Sequence, residues 1–124
     1  MKSILLLVLL TFVTGKEPIT ELFGKWKLEK IESHGKTITP EKTSYFLNIS
    51  EKSIKYNTPI NTCWSDSFFV DKKSIELYDT RCTEIAEQID SINKNLNYSG
   101  TYELKDSNLI IVSSKGTLYL KKIN

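Results

Sequence analysis

Histidine, cysteine and the motifs of common active sites are scarce in this chain. Its 124 residues include one histidine and two cysteines, and the cysteines lack the C-x-x-C spacing that zinc sites use. No phosphate-binding loop, nucleophile elbow or metal-binding helix motif is present. The histidine, His34, falls in the predicted turn 33–36, where no serine or cysteine motif is placed to use it. We therefore predict no enzyme activity and no catalytic, metal-binding or cofactor-binding residue.

An excess of charge of either sign is missing as well. The chain has 17 basic and 15 acidic side chains, and removal of residues 1–15 would take away one lysine. A net charge this close to zero predicts no electrostatic footprint for nucleic acid or for an anionic membrane. The expected partner is an unknown protein or a small hydrophobic ligand, and we expect the protein to be a monomer.

A hydrophobic run long enough to cross a membrane is also absent from the sequence. The longest apolar run is 4–13, whereas a membrane span needs about twenty residues. This run follows Met1-Lys2 and ends before Thr14-Gly15, which is the layout of a secretory signal peptide. We expect residues 1–15 to be that signal peptide, and the mature domain, residues 16–124, to be secreted or periplasmic. A buried N-terminal strand is the alternative interpretation of the same run.

The two cysteines, Cys63 and Cys82, are the only ones in the chain. In a small exported domain an even number of cysteines favours a structural disulfide. Closing a loop of this length would stabilise the fold by roughly 3 kcal/mol in the chain-entropy treatment. Free thiols and a metal site are the alternatives, and the metal site is short of ligands.

The clearest helical pattern follows Cys82. Apolar side chains recur there at intervals of three and four residues, which predicts an amphipathic helix that lies on a sheet. The residues of its apolar face are Cys82, Ile85, Ala86, Ile89, Ile92 and Leu96.

The remainder of the chain alternates between apolar and polar residues, as half-buried strands do. Trp26 and Leu28 share the inner face of the first predicted strand, 23–31. Further strands are predicted at 45–49, 53–56, 63–70, 74–78, 101–104, 108–113 and 117–122, with Gly116 supplying a positive φ in the last turn. The fold predicted is mainly β (α+β): a small antiparallel barrel-like sheet of about eight strands with one amphipathic helix packed on it. Its expected structural core includes Trp26, Leu28, Ile85, Ile89 and Leu96.

Several short motifs lie along the predicted domain. They are Gly24-Lys25-Trp26-Lys27-Leu28, Cys63 ahead of Ser67-Phe68-Phe69, Thr80-Arg81-Cys82, a helix with Glu87 and Ile89, Tyr102, Leu109-Ile110-Ile111, Gly116 and Leu118. Together these motifs resemble the META domain, also called the HslJ-like family. The resemblance covers roughly residues 23–122 as weak, spaced signals. It implies a single β domain, a possible pairing of Cys63 with Cys82, and a stress-related or envelope-related role without established catalytic residues.

Two other functions stay open. Gly24-x-Trp26 after a signal peptide also resembles the start of lipocalin-like barrels, which implies a carrier of one small hydrophobic ligand. A secreted inhibitor or other protein-binding module is the third interpretation, in which Tyr45, Tyr56 or Tyr119 would form an exposed patch. We favour the META-like domain over both.

Overall fold

The structure is a computed structural model that describes residues 17–40, 45–83 and 91–123. The described residues form a 3-10 helix, Glu17–Leu22, a one-turn α-helix, Ser91–Lys94, and eleven strands. The strands are β1 (Gly24–Ser33), β2 (Lys36–Ile38), β3 (Phe46–Ile49), β4 (Ile54–Asn57), β5 (Thr62–Ser65), β6 (Ser67–Val70), β7 (Ser74–Tyr78), β8 (Arg81–Cys82), β9 (Gly100–Lys105), β10 (Asn108–Ser113) and β11 (Gly116–Lys122). The predicted signal peptide, residues 1–15, lies outside the described residues. No helix in the described ranges is long and apolar enough to span a membrane.

The strands make one curled antiparallel sheet with the form of a half-barrel. Its order is β6-β7-β9-β10-β11-β1-β3-β4-β5-β8, and β2 pairs with β1. Long neighbouring strands at the centre, β11 and β1, hold the first and last parts of the domain together. The predicted mainly β, barrel-like sheet is therefore present, with more strands than expected because short strands flank the predicted ones.

One face of the sheet encloses the hydrophobic core. Leu109, Ile111, Leu118 and Leu120 are buried there, as their alternation in the sequence predicts. Leu47 and Ile49 on β3 lie in the same core. At the last turn, Gly116 has a φ of 149°, and a side chain at this position would approach the backbone oxygen of Glu32 to 2.7 Å. The prediction of a positive φ there is confirmed, and the close approach gives a second reason for glycine.

Trp26 closes one end of the core. Its side chain is fully buried, and the indole Nε1 donates a hydrogen bond of 2.9 Å to the backbone oxygen of Leu22 in the 3-10 helix. The ammonium of Lys122, on β11, lies 5.4 Å from the centre of the indole ring and donates to the backbone oxygen of Glu21 at 3.2 Å. The tryptophan thus fixes the 3-10 helix to the sheet.

The predicted pair of strands at 63–70 and 74–78 is a single hairpin with an interruption, which we call the bent hairpin (β5, β6, β7 and β8). Trp64 pairs with Arg81 before the interruption and Ser67 pairs with Tyr78 after it. The register is therefore the same on both sides, and the chain advances by three positions on each arm between these pairs. Because β5 pairs with β4 and β7 pairs with β9, the bent hairpin joins the two ends of the curled sheet.

The interruption exchanges the two faces of the hairpin. Before it, Cys63 and Ser65 are buried; after it, Phe68 and Val70 pack against the core while Phe69 is exposed. In a regular strand every second side chain shares a face, so Ser67 and Phe69 should lie on the same side as Cys63 and Ser65. Instead, Phe68 and Val70 face the core, because the chain rotates at residues 65–66 and 79–80, which do not pair across the hairpin. Since both arms advance equally, the pairing survives and only the facing changes.

The predicted helix from Cys82 to Leu96 is wrong at its start. Cys82 is the last residue of β8, where it pairs with Cys63, because a cross-strand partner outweighs the weak helical preference of cysteine. Residues 84–90, which include Ile85 and Ile89, lie outside the described residues. Ile92 is buried in the core, and Leu96 is half-buried against it, so the described end of the predicted apolar face does point to the sheet.

Candidate functional site

Cys63 and Cys82 lie opposite each other on β5 and β8 and form a disulfide bond. The backbone N–H of Thr83 donates to the carbonyl of Thr62 at 3.0 Å, next to this pair. Cys63 is buried, whereas Cys82 is exposed at the edge of the sheet. The predicted structural disulfide is present, and it holds the shortest strand, β8, on the sheet.

Tyrosines gather on the inner face of the sheet close to this disulfide. Tyr56 on β4 pairs directly with Cys63. The ring of Tyr98 is 5.0 Å from the ring of Tyr56, with an angle of 56° between the planes. Tyr45 is also buried and lies near enough to influence the ionisation of Tyr98. We call these three residues the tyrosine cluster.

The hydroxyl of Tyr98 is the feature that distinguishes this cluster. Its side chain is 2% exposed, and its oxygen has no hydrogen-bond partner among the described residues. Burial raises the pKa of the Tyr98 phenol well above its usual range, with smaller contributions from Tyr56 and Tyr45. Burial also raises the pKa of Tyr56. Both groups therefore stay protonated at neutral pH. No described residue accepts a hydrogen bond from the buried Tyr98 hydroxyl.

Local hydrogen bonds fix the backbone on both sides of Tyr98. The side-chain oxygen of Asn97 accepts a bond from the N–H of Ser99 at 3.0 Å, and its amide nitrogen donates to the hydroxyl of Ser114 at 3.1 Å. The hydroxyl of Ser99 accepts from the N–H of Leu77 on β7 at 3.0 Å. These bonds attach the segment to β7 and to the turn between β10 and β11, so the ring of Tyr98 cannot swing out to solvent without breaking them.

An open cleft of about 490 Å³ lies at the interruption of the bent hairpin, lined by Asp66, Ser67, Asp79, Thr80 and Arg81. Asp79 has a positive φ of 50°, and Asp66 forms an ion pair of 2.9 Å with Arg81. Both partners of this pair are largely exposed, so it contributes little to stability. The cleft is the place where the hairpin lacks ladder hydrogen bonds, and its residue Asp79 directly follows β7, the strand that Ser99 contacts.

The structure describes three of the five residues predicted to form the structural core. Trp26 and Leu28 are buried, as expected, and Leu96 is half-buried against the core. Ile85 and Ile89 lie outside the described residues.

The tyrosines suggested for an exposed patch are less exposed than that interpretation requires. Tyr45 is buried because it faces the core, which corrects the suggestion for this residue. Tyr56 and Tyr119 are half-buried.

His34 lies in the exposed turn between β1 and β2, with a positive φ of 52°. In the described parts of the chain, no group of three or more histidine, cysteine, aspartate or glutamate side chains is arranged to hold a metal ion. Tyr98 was not singled out from the sequence, and only its position between the turn-forming residues Asn97 and Ser99 could have drawn attention to it. A lone tyrosine in a polar segment carries no sign that its hydroxyl is buried.

The comparisons with known proteins add no family. No protein-family model, no curated protein and no solved structure matches the chain.

Proposed function

We propose that the protein is a non-enzymatic binding protein whose small ligand has an apolar body and one hydrogen-bond acceptor, held on the inner side of the half-barrel sheet at Tyr98. The observation that carries this proposal is the buried Tyr98 hydroxyl, for which residues 17–40, 45–83 and 91–123 supply no hydrogen-bond partner. A buried polar group that lacks a hydrogen bond costs about 1–3 kcal/mol. A ligand that accepts a hydrogen bond from the Tyr98 hydroxyl would recover this free energy. The unpaired hydroxyl therefore favours ligand binding.

The surroundings of Tyr98 match such a ligand. The ring of Tyr98 lies against that of Tyr56, and Tyr98 belongs to the hydrophobic core cluster. Ligand sites of this kind are mostly apolar with a few placed polar groups. The ligand would bury its apolar body against the tyrosine cluster and would accept one hydrogen bond from Tyr98.

The interrupted hairpin supplies a route for the ligand. Two opposed residue pairs in its middle, Ser65 with Thr80 and Asp66 with Asp79, form no ladder pairs. Opening the hairpin at this point breaks no ladder hydrogen bond, although it breaks the side-chain bonds of Ser65 to Tyr78 and of Arg81 to Asp66. Segments with few backbone hydrogen bonds open most easily.

This proposal develops the carrier that the Gly24-x-Trp26 resemblance implies. A stress-related or envelope-related role, and membership of the META domain family, stay predictions from the resemblance alone. Export through a signal peptide also stays a proposal; the disulfide and the absence of a membrane-spanning helix in the described residues are compatible with it. We also propose that the predicted amphipathic helix packs on the sheet and covers the core beside Ile92.

Fluorescence titration with prodan tests the binding site. Prodan is an aminonaphthalene with one ketone, and its emission moves to shorter wavelength in apolar surroundings. We expect saturable binding to the mature protein with one site per chain, and a loss of about tenfold or more in affinity for Tyr98→Phe, since one buried hydrogen bond is worth about 1.4 kcal/mol or more.

The matched control is Tyr119→Phe, which removes a tyrosine hydroxyl on the outer face, where it donates to Glu32 at 3.2 Å. This variant should bind prodan as the wild type does. The same naphthalene without its ketone should bind wild type and Tyr98→Phe equally. Absence of saturable binding, or equal affinity of wild type and Tyr98→Phe for prodan, would overturn the proposal.

A further inference from the structure

The outer face of the sheet carries a concentration of positive charge that the net charge of the chain does not reveal. One outward row crosses β1, β3, β4, β5 and β8, and its directly paired residues are Lys25, Asn48, Lys55, Trp64 and Arg81. A second row, two residues further along the strands, crosses β11, β1, β3, β4 and β5 through Lys121, Lys27, Phe46, Asn57 and Thr62. Neither row contains a carboxylate. We call the charged and aromatic members of these rows the cationic face: Lys25, Lys27, Lys55, Arg81, Lys121, Phe46 and Trp64.

Two contacts within this face tie cations to aromatic rings. The ammonium of Lys25 lies 4.4 Å from the centre of the Phe46 ring, and the guanidinium of Arg81 lies 5.4 Å from the centre of the Trp64 ring. Such contacts hold the long basic side chains close to the sheet. The cationic face therefore presents positive charge beside half-buried, flat aromatic surfaces.

The arrangement works against the stability of the fold. Lys27 on β1 is directly opposite Lys121 on β11, and like charges in directly opposed positions destabilise a sheet. Lys25 lies two residues before Lys27, on the same side of the strand. Within the described ranges the cationic face has a single ion pair, Arg81 with Asp66, which is exposed and lies at its end. An external anion would relieve the repulsion that the sheet itself leaves uncompensated.

The spacing of the charges favours an extended anion. Lys25, Lys55 and Arg81 occupy every second strand of their row, so neighbouring cations are about 10 Å apart, and the whole row spans about 19 Å. The row runs across the strands, along the direction in which the sheet curls. A flat membrane touches only the crest of such a convex surface, whereas a flexible linear polymer can follow it.

We propose that the cationic face binds a linear anionic polysaccharide. Its acid groups would pair with Lys25, Lys55 and Arg81, with Lys27 and Lys121 alongside. Its sugar rings would lie beside Trp64 and Phe46, whose ring faces carry the Arg81 and Lys25 side chains. The disulfide favours an oxidising compartment, where acidic polysaccharides are accessible and nucleic acids are not the usual polyanion. This site is on the opposite side of the sheet from the tyrosine cluster and does not depend on it.

Binding of two polysaccharide probes tests the proposal: heparin fragments, which carry sulfates, and polygalacturonate, which carries carboxylates. The mature protein should bind at least one of them at low salt, with an affinity that falls as ionic strength rises. The variant Lys25→Gln/Lys55→Gln/Arg81→Gln should bind about tenfold more weakly or worse, since it removes three exposed charge contacts. Tighter binding of heparin fragments would indicate that the polysaccharide carries sulfates, and tighter binding of polygalacturonate would indicate carboxylates.

The control variant Lys36→Gln/Lys72→Gln/Lys115→Gln makes the same change in net charge at exposed positions outside the two rows. It should retain binding within about twofold. Trp64→Leu should weaken binding of the polysaccharide and abolish any change in tryptophan emission, because the other tryptophan, Trp26, is buried. Circular dichroism should show that all three variants keep the fold.

Several results would overturn the proposal. They are no binding of either probe, equal losses in the two triple variants, and tighter binding of a single-stranded oligonucleotide or of vesicles with anionic lipid than of both polysaccharides. Neutral dextran should not bind, and binding of dextran with equal affinity would contradict a charge-based site. None of these outcomes bears on the prodan titration, so the two proposals fail separately.

Discussion

The hydroxyl of Ser65 on β5 donates a hydrogen bond to the backbone carbonyl of Tyr78 on β7, across the interruption of the bent hairpin. Ser65 is 1% exposed, so this bond is shielded from water. It replaces a ladder hydrogen bond at the place where the two arms exchange their faces. The serine is thus the side chain that keeps the arms together where the backbone pairing stops.

Replacing this serine should weaken the domain. Ser65→Ala removes the buried donor and leaves the Tyr78 carbonyl without this partner, which should lower the free energy of unfolding by about 1 kcal/mol. Urea unfolding followed by circular dichroism measures the change. Ser107→Ala, at an exposed turn, is the control and should be neutral; equal losses in the two variants would mean that the Ser65 bond does not hold the hairpin.

Loss of the disulfide should destabilise the domain more than loss of any single surface contact. Cys63→Ser/Cys82→Ser opens the link between positions 19 apart in the sequence and should lower the free energy of unfolding by about 2–5 kcal/mol. The comparison is made by urea unfolding of the oxidised wild type and the double variant. Mass spectrometry of unreduced protein should show no alkylatable thiol, and two free thiols in native protein would contradict the bond.

Trp26 should be sensitive even to a conservative change. Trp26→Phe deletes the bond to the Leu22 carbonyl and part of the packing under Lys122, so we expect a loss of about 2–4 kcal/mol. Thermal unfolding provides the measurement. His34→Asn should leave stability unchanged, because asparagine tolerates the positive φ of that turn; a large loss there would assign the turn an unexpected structural role.

The acid side of the stability profile should depend on Asp71. Its carboxylate accepts hydrogen bonds from the backbone N–H groups of Lys73, at 2.8 Å, and Ser74, at 2.7 Å, and these bonds hold the pKa of Asp71 below its usual range. A lowered pKa in the folded state stabilises the fold above the pKa of the unfolded chain, and this contribution is lost as the pH falls through the folded value.

Asp71→Asn should therefore flatten part of the fall in stability below about pH 4. Urea unfolding of wild type and variant at several pH values between neutral and strongly acidic checks the slope. Ser107→Ala, in another exposed turn, removes no carboxylate and should leave the slope as it is. Identical slopes for wild type and Asp71→Asn would show that the carboxylate forms no such bonds in solution.

The strands with regular alternation could be predicted from the sequence. Leu109, Ile111, Leu118 and Leu120 follow a period of two between recognisable turns, so both their strands and their buried face were evident. The inversion inside the bent hairpin could not be predicted, because the segment around Asp66 is equally compatible with one uninterrupted strand. Only the pairing partners on the second arm, including Asp79 with its positive φ, determine where the faces exchange.

The two candidate sites could not be predicted from the sequence, because they too depend on how distant segments pair and pack. The net charge of the sequence predicts no charged footprint, but the register places Lys27 beside Lys121, which are 94 positions apart. Register between distant strands is a tertiary property and is not encoded in local composition. The buried, unpaired hydroxyl of Tyr98 likewise depends on what packs around it, and an isolated tyrosine reveals nothing of that.

The unfolding free energies of wild type and Tyr98→Phe, each with and without saturating prodan, test the binding site at Tyr98 most directly. Without prodan, Tyr98→Phe should be as stable as the wild type or about 1 kcal/mol more stable, because the substitution removes a buried hydroxyl that has no partner. With prodan, the wild type should gain stability as the ligand binds the folded state, and the variant should gain much less. A variant that is clearly less stable without prodan, or one that gains as much as the wild type with it, would contradict the role of Tyr98.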